Sequence, residues 1–250
     1  MEPWDDLTVT VSETGDLPRP WREALHRLFD ETYARADHGY LDKSLDLLRF
    51  AAVAVTDEAT ASSGNVVGFA LGETRVLDLP GFPAQPTGLA GLCCVHGAFR
   101  NRGLFRSLEG SVLGAGLSRT GRGRRLLTAG RVAHPASLRV MRRNAGTLPS
   151  PGTAPTAFQG QIAGRVAACY GVAGFDPDTF VCQGRGRPIG YPRMRVEASA
   201  EEWELFASVD RDRGDSLLAL SWIPDAPPAW DTVSPACRVT SVPSRDPPGC

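Results

Sequence analysis

The stretch that most constrains this chain runs from Leu92 to Leu108. An apolar run of strand length, Leu92-Cys93-Cys94-Val95, ends at His96, and a short basic loop containing Gly97 and Gly103 follows. From Gly103 onward apolar residues recur at Leu104, Phe105, Leu108, Val112 and Leu113, the spacing of a helix with one buried face. The segment therefore reads as strand, loop, helix. A loop that feeds a helix start leaves backbone N–H groups without intrahelical acceptors and adds the positive end of the helix dipole, which suits a phosphate. Arg100, Arg102 and Arg106 add positive charge. Gly103 allows either close approach of an anion to the main chain or a left-handed turn. The rival reading is a solvated basic face with an ordinary turn glycine.

The elements around this segment follow from periodicity. Leu7 to Val11 alternates as a first strand; a helix from Trp21 carries Leu25, Leu28, Phe29, Thr32 and Tyr33, and a second spans Leu41 to Arg49. Between them lies a polar loop, Arg35 to Tyr40. Phe50 to Val55 and Val66 to Val76 read as a hairpin around a polar turn at residues 57–65. Pro80 to Pro86 reads as a loop, because it holds three prolines in seven residues. Leu89 to Val95 is the strand entering the motif. After the motif helix come a turn at residues 118–123, a strand from Arg125 to Ala129 and a helix over His134 to Arg143.

The wording of the central segment resembles motif A of the GCN5-related N-acetyltransferases, in which an arginine or glutamine, two residues, a glycine, one residue and a small residue form the pyrophosphate loop. Here it reads Arg100-x-x-Gly103-x-Phe105, after Val95-His96. Phe105 stands where the family has a small residue. The order of strand, two helices, hairpin, strand, loop and helix, strand is also that of the family core. His134-Pro135-Ala136 continues the resemblance, with His134 at a position where asparagine is common and Met141 at that of the tyrosine that commonly protonates the thiolate.

The resemblance implies an α/β fold with a mixed central sheet flanked by helices, a core of about residues 5–146, and a C-terminal helix and strand extension over about 147–223. Together these form one acyltransferase-like domain over residues 1–223. Beyond it, residues 224–250 are proline-rich and expected to be mobile. In the extension, Phe158, Ile162, Val166, Cys169 and Tyr170 share a helix face, and Thr179 to Gln183 reads as a strand. Gly184 to Pro192 carries Arg185 and Arg187 and either closes over an anionic ligand or is a solvated turn. Ser199-Ala-Glu-Glu202 is a capping box opening a helix expected to bury Trp203 and Phe206, and Ser216 to Trp222 is a last strand.

The implied activity is acyl transfer from acetyl-CoA or another acyl-CoA to a small-molecule amine; the same groove would serve an acyl carrier protein. Cofactor contacts are expected from Cys93, Cys94, Val95, Arg100, Asn101, Arg102, Gly103, Leu104 and Phe105. Base candidates are Glu73 and His134, with His96 a further one; the loop between the first two helices places Asp37, His38 and Tyr40 as acceptor contacts. Loss of the usual acid and small residue, at Met141 and Phe105, points alternatively to a module that binds CoA or another nucleotide without this chemistry, or that runs a different reaction.

Composition narrows the alternatives. Of 250 residues, 42% are hydrophobic and 22% charged, as in ordinary soluble proteins, and a net charge of −1 supplies no global field to recruit nucleic acid or membrane. Basic charge is nearly all arginine, with Lys43 the single lysine. The six cysteines show no metal spacing or disulfide framework, so reduced thiols in a cytoplasmic protein and no metal are expected. Neither a serine hydrolase elbow nor a triad order is present.

Overall fold

A computed structural model describes residues 7–56, 65–118, 125–187, 190–193 and 197–230. The turns expected at residues 57–65 and 118–123 fall, at 57–64 and 119–123, outside the described residues. The first strand, β1 (Leu7–Glu13), lies antiparallel to β2 (Phe50–Thr56), whose residues from Phe50 to Ala54 are all buried because both faces of the sheet are covered. Between them come α1 (Arg19–Thr32), with Pro20 in its first turn, and α2 (His38–Leu47). The Asp37 carboxylate caps α2 by accepting the Gly39 N–H at 2.9 Å, so His38 and Tyr40 stand in the first turn of a helix and not in the expected loop.

A long antiparallel hairpin follows, β3 (Val66–Leu79) and β4 (Phe82–Val95), turned by Pro80-Gly81 with Gly81 at φ 70. The loop expected across Pro80 to Pro86 is therefore mostly strand: Leu79 faces Phe82, and Val76 faces Pro86. Pairing of β4 with β5 (Leu126–Val132) begins only at Thr87, so Pro83 and Pro86 lie where β4 has one strand neighbour and a missing N–H breaks no second ladder.

Two features of β4 shape the centre of the molecule. Its register against β3 shifts between Ala70↔Cys93 and Gly72↔Ala90, so Leu71 opposes both Gly91 and Leu92. This bulge reverses the alternation of faces. Leu89 and Leu92, three residues apart, therefore face the same core cluster, and Gly91 lies against Leu48, the residue that follows α2. In addition, the parallel pairing of β4 with β5 runs from Thr87↔Leu127 to Ala90↔Gly130 and stops, while β4 continues to Val95 and β5 to Val132. The two strands part there. On one face α3 (Leu104–Leu117) packs Leu104, Leu108 and Val112 against Ala52, Ala54 and Ala70; α1 and α2 pack on the other.

After α4 (Pro135–Met141) the chain adds β6 (Ala145–Leu148), α5 (Ala157–Cys169), β7 (Gly174–Phe175), β8 (Val181–Gln183), α6 (Ala200–Glu204) and β9 (Ser216–Ile223). The strand order is β1-β2-β3-β4-β5-β9-β8-β7, with β6 on β9. The extension thus continues the sheet: β9 is antiparallel to β5, and Leu217, Leu218, Leu220 and Trp222 are fully buried. A two-residue ribbon, Tyr33–Ala34 with Tyr191–Pro192, fastens it to the end of α1. The expected fold class, a mixed sheet flanked by helices with a C-terminal extension, is present.

Two expectations about the extension are corrected. The capping box of Ser199 and Glu202 forms, but α6 is one short turn and Trp203 stays 37% exposed, its ring against the His134 ring and the Arg211 guanidinium. The segment from Pro224, expected to be mobile, packs as far as Trp230. That ring is fully buried, its Nε1–H donates to the Gly146 carbonyl at 2.8 Å, and its own carbonyl accepts from Gln159 Nε2 at 2.9 Å. Proline density misled because Trp230 alone brings enough apolar area to offset ordering a short segment. Residues 231–250 lie outside the described residues.

Candidate active site

The loop after β4 is built by its backbone. The His96 N–H donates to the Val67 carbonyl at 2.8 Å, a short 3-10 turn spans Gly97–Phe99, and the chain enters α3 through two left-handed residues, Asn101 at φ 61 and Gly103 at φ 86. Asparagine tolerates this conformation and glycine has no penalty there. Leu104 and Leu108, both buried, pin the first turn of α3 over Gly68, where a side chain would meet Leu108 at 2.9 Å. Among the described residues the amides of Arg102, Gly103, Leu104, Phe105 and Arg106 have no acceptor. A 14-residue helix stands behind them.

The arginines divide into committed and free. Arg100 donates from Nε to the Val95 carbonyl at 2.9 Å and from its terminal nitrogen to the Arg193 carbonyl, so it ties the loop to the extension. The exposed Arg102 lies over the Phe99 ring, 5.9 Å from its centre. Arg106 is exposed too, and its charge works on Glu109, one turn further along α3. Burial nevertheless raises the Glu109 carboxyl to a pKa of about 7, and its charge also reaches Cys93.

Where β4 and β5 separate, Tyr170, the residue that follows α5, places its hydroxyl 3.0 Å from the Ala90 carbonyl and 2.9 Å from that of Ala129, closing the fork of the two strands. Further along β4, burial pushes the Cys93 thiol well above its usual range and the Cys94 thiol up to about 12, which removes both as nucleophiles at neutral pH. The Tyr33 hydroxyl lies 3.5 Å from the Cys93 carbonyl.

Two adjoining cavities open on the α2 side of the fork. The smaller, about 30 Å³, is bounded by Tyr40, Lys43, Ala90, Gly91, Arg131 and Tyr170. The larger, about 480 Å³, shares Tyr40, Lys43 and Arg131 and extends to Asp37, Arg185 and Arg187. Of the three expected acceptor contacts, the structure thus brings Asp37 and Tyr40 to the cavities. His38 is turned away, its Nε2 against Asp30 at 2.8 Å and its ring against His26.

The expected bases are each engaged. The Glu73 carboxylate pairs with Arg75 at 2.8 Å, Arg75 also donates to the Leu47 carbonyl at 3.1 Å, and Glu73 lines neither cavity. His134 caps α4, its Nδ1 accepting the Ala136 N–H at 3.1 Å. That use of the lone pair fixes the proton of the neutral ring on Nε2. Burial, then Arg211 and Arg139, lowers its pKa below the ordinary value. His96 caps the 3-10 turn in the same way, its Nδ1 accepting from Ala98 at 3.3 Å. Met141 is buried, with its sulfur facing Gly130.

Sequence reasoning missed Lys43, Arg131, Tyr170 and Glu109 as residues of this centre. Lys43 carried one signal, as the only lysine of the chain. Tyr170 carried none beyond an apolar helix face, and Arg131 looked like any polar residue of a strand. Among the described residues no group of three or more metal-binding side chains comes together, and no helix is long and apolar enough to cross a membrane.

A mixed sheet flanked by helices, with a glycine-containing loop and helix after the fourth strand and a C-terminal extension, is the architecture that the acetyltransferase resemblance implies. No protein-family model matches the chain, and no curated protein matches it. Among solved structures, it overlaps the ribosomal-protein-S18-alanine N-acetyltransferase from Escherichia coli at 12% identity with a TM-score of 0.41, over 88% of this chain and 97% of that one. Overlap with the aminoglycoside N-acetyltransferase AAC(6')-Iy in complex with CoA has 20% identity and a TM-score of 0.37, over 55% and 85% of the two chains. For the NatC complex bound to Gag peptide and CoA the values are 13% and 0.38, over 55% and 82%.

Proposed function

We propose that this protein transfers an acyl group from acyl-CoA to the amine of a small molecule. The observation that carries the reading is the run of unpartnered amides from Arg102 to Arg106, set at the start of α3 directly beyond the strand that parts from β5. Those amides and Arg102 would hold the pyrophosphate, while the parted edges of β4 and β5, including Cys93, Cys94 and Val95, would accept the pantetheine arm. The thioester then reaches the fork at Ala90 and Gly91, where the small cavity meets it from the other side.

Attack by the amine nitrogen forms the new C–N bond and puts negative charge on the carbonyl oxygen; collapse breaks the C–S bond and releases the thiolate, which takes up, directly or through water, the proton that the amine nitrogen sheds. Lys43 and Arg131 border the fork, so their field favours the neutral, nucleophilic form of the amine and the developing oxyanion. A thiol with a pKa of about 8.5 leaves without a strong acid, so the methionine at 141 is compatible with the step.

The test is a melting-temperature titration with CoA and acetyl-CoA, followed by thiol release with a panel of amines. Saturating CoA should raise the melting temperature by mass action, and Arg102→Glu, at an exposed position, should abolish most of that shift without changing the apoprotein. Gly103→Val should abolish it too, although φ 86 makes this variant strained. Glu73→Gln and His134→Ala should keep turnover, since both groups are held by other partners. No shift at saturation would overturn the reading, while binding without thiol release for any amine would favour the non-catalytic module.

A further inference from the structure

We propose that the larger cavity is an oxyanion site, taking a carboxylate or phosphate group carried by the acceptor. The proposal rests on the acyl-transfer reading for the word acceptor; the anion site itself rests on the cavity alone. Four cationic side chains from three parts of the chain line it, Lys43 from α2, Arg131 from β5, and Arg185 and Arg187 from the segment after β8, against the single carboxylate of Asp37. This is a local excess in a chain whose net charge is −1. The Asp37 Oδ1 accepts the Gly39 N–H, and one carboxylate against four cations leaves the lining net positive.

The positions of these cations are built. Arg131 is held by its Nε, which donates to the Ser216 hydroxyl at 2.9 Å, so its terminal nitrogens remain to face a ligand. The Gly184 N–H donates to the fully buried Asp215 carboxylate at 2.8 Å, and the Gly186 N–H to the Arg213 carbonyl at 3.0 Å. Gly184 packs so closely that a Cβ would lie 2.3 Å from the Arg213 carbonyl oxygen. Those contacts anchor the stretch that presents Arg185 and Arg187, and an ion pair of Arg35 with Asp212 ties the same turn to the chain before α2. Like charges gathered in this way repel, and Lys43 shows it: burial, then Arg131 and Arg185, lowers its pKa. A bound oxyanion reverses that cost by accepting hydrogen bonds from the same groups.

Size and placement agree with a small acceptor. A volume of about 480 Å³ is that of a small-molecule site. Tyr40, Lys43 and Arg131 belong to both cavities, so a molecule whose anion lies by Arg185 and Arg187 can direct its other end to the fork at Ala90 and Gly91.

The experiment is isothermal titration of the full chain with inorganic phosphate and, separately, with succinate, using succinamide as the uncharged control and constant ionic strength. One of the two anions should bind saturably at a single cavity site, and which one does so separates phosphate from carboxylate. Lys43→Met and Arg185→Gln should each weaken that binding about tenfold. Phosphate held at the α3 amides should be lost in Arg102→Glu while the binding that depends on Lys43 remains, and Arg185→Gln lies on an exposed segment, so the test survives misfolding of Lys43→Met. Absence of saturable binding by both anions overturns the proposal, as does binding that is lost in Arg102→Glu but kept in both cavity variants. A parallel CoA titration keeps the two readings apart: anion binding that depends on Lys43, without any CoA binding, retains the site and removes acyl transfer.

Discussion

The molecule carries two basic regions on opposite faces of one sheet, and they are basic in different ways. At the start of α3 the useful donors are main-chain amides: Arg100 is spent on the Val95 and Arg193 carbonyls, and the buried Leu104 and Leu108 hold the amides in place. In the cavity beyond the fork the donors are side chains, Lys43, Arg131, Arg185 and Arg187, collected from distant segments and held by the extension. A backbone site is fixed by local conformation and survives damage elsewhere. A side-chain site assembled from distant segments depends on the packing that brings them together.

The largest expected effect separates them on that basis. Trp230→Ala removes a fully buried ring and its Nε1–H hydrogen bond to the Gly146 carbonyl, which should cost about 3–5 kcal/mol and lower the melting temperature by roughly 10 °C. Below the new transition, the CoA shift should remain while anion binding in the cavity weakens. Equal loss of both, measured at a temperature where the variant is still folded, would show that the two faces are not independent.

The same contrast explains what was legible in the sequence. Residues 92–108 are contiguous, so periodicity and glycine placement exposed the strand, the loop and α3 together. The cavity is the sum of α2, β5 and the extension, and nothing local links Lys43 to Arg131 or to Arg185. The Pro80 to Pro86 reading failed because a proline's effect depends on whether its missing N–H faces a neighbouring strand, which only the start of β5 at Leu126 decides. Glu73 and His134 were chosen by residue type and position. Their engagement, with Arg75 across the strand surface and with the cap of α4, is a property of the folded neighbourhood.

A smaller effect is expected at Asp215, which anchors the side-chain site. Burial works to raise its pKa, but Arg213 and the amides of Gly184 and Asp210 outweigh burial and hold it below the ordinary value. A carboxyl with a depressed folded pKa stabilises the fold above its unfolded value, near 3.9, and loses that contribution as pH falls through the folded one. Asp215→Asn should therefore cost about 2–3 kcal/mol at pH 7, and the gap to the parent protein in urea unfolding should narrow below about pH 3.5. Anion affinity should fall with it and the CoA shift should not. A gap that is constant with pH would mean that the carboxylate charge is not what holds the 184–187 segment.

The smallest effect belongs to the α3 side and has the opposite sign. The Glu109 carboxyl is raised from 4.5 to about 7, first by burial and against the pull of Arg106, so the fold prefers its neutral form. A raised carboxyl contributes stability that is fully present below the unfolded pKa and is lost as pH rises through the folded one, here between about pH 4.5 and 7. Glu109→Gln is neutral at every pH. It should melt with the parent at pH 4.5 and above it at pH 8, the difference growing through the interval between. The charge of Glu109 reaches Cys93 on the strand proposed to carry the pantetheine arm, so a bound arm would desolvate the carboxyl further. CoA binding to the parent protein should then take up a proton near pH 7, visible as a buffer-dependent heat of binding, and binding to Glu109→Gln should not. A heat that is the same in all buffers for both proteins would place the arm away from Glu109 and break the assignment of this face to the donor.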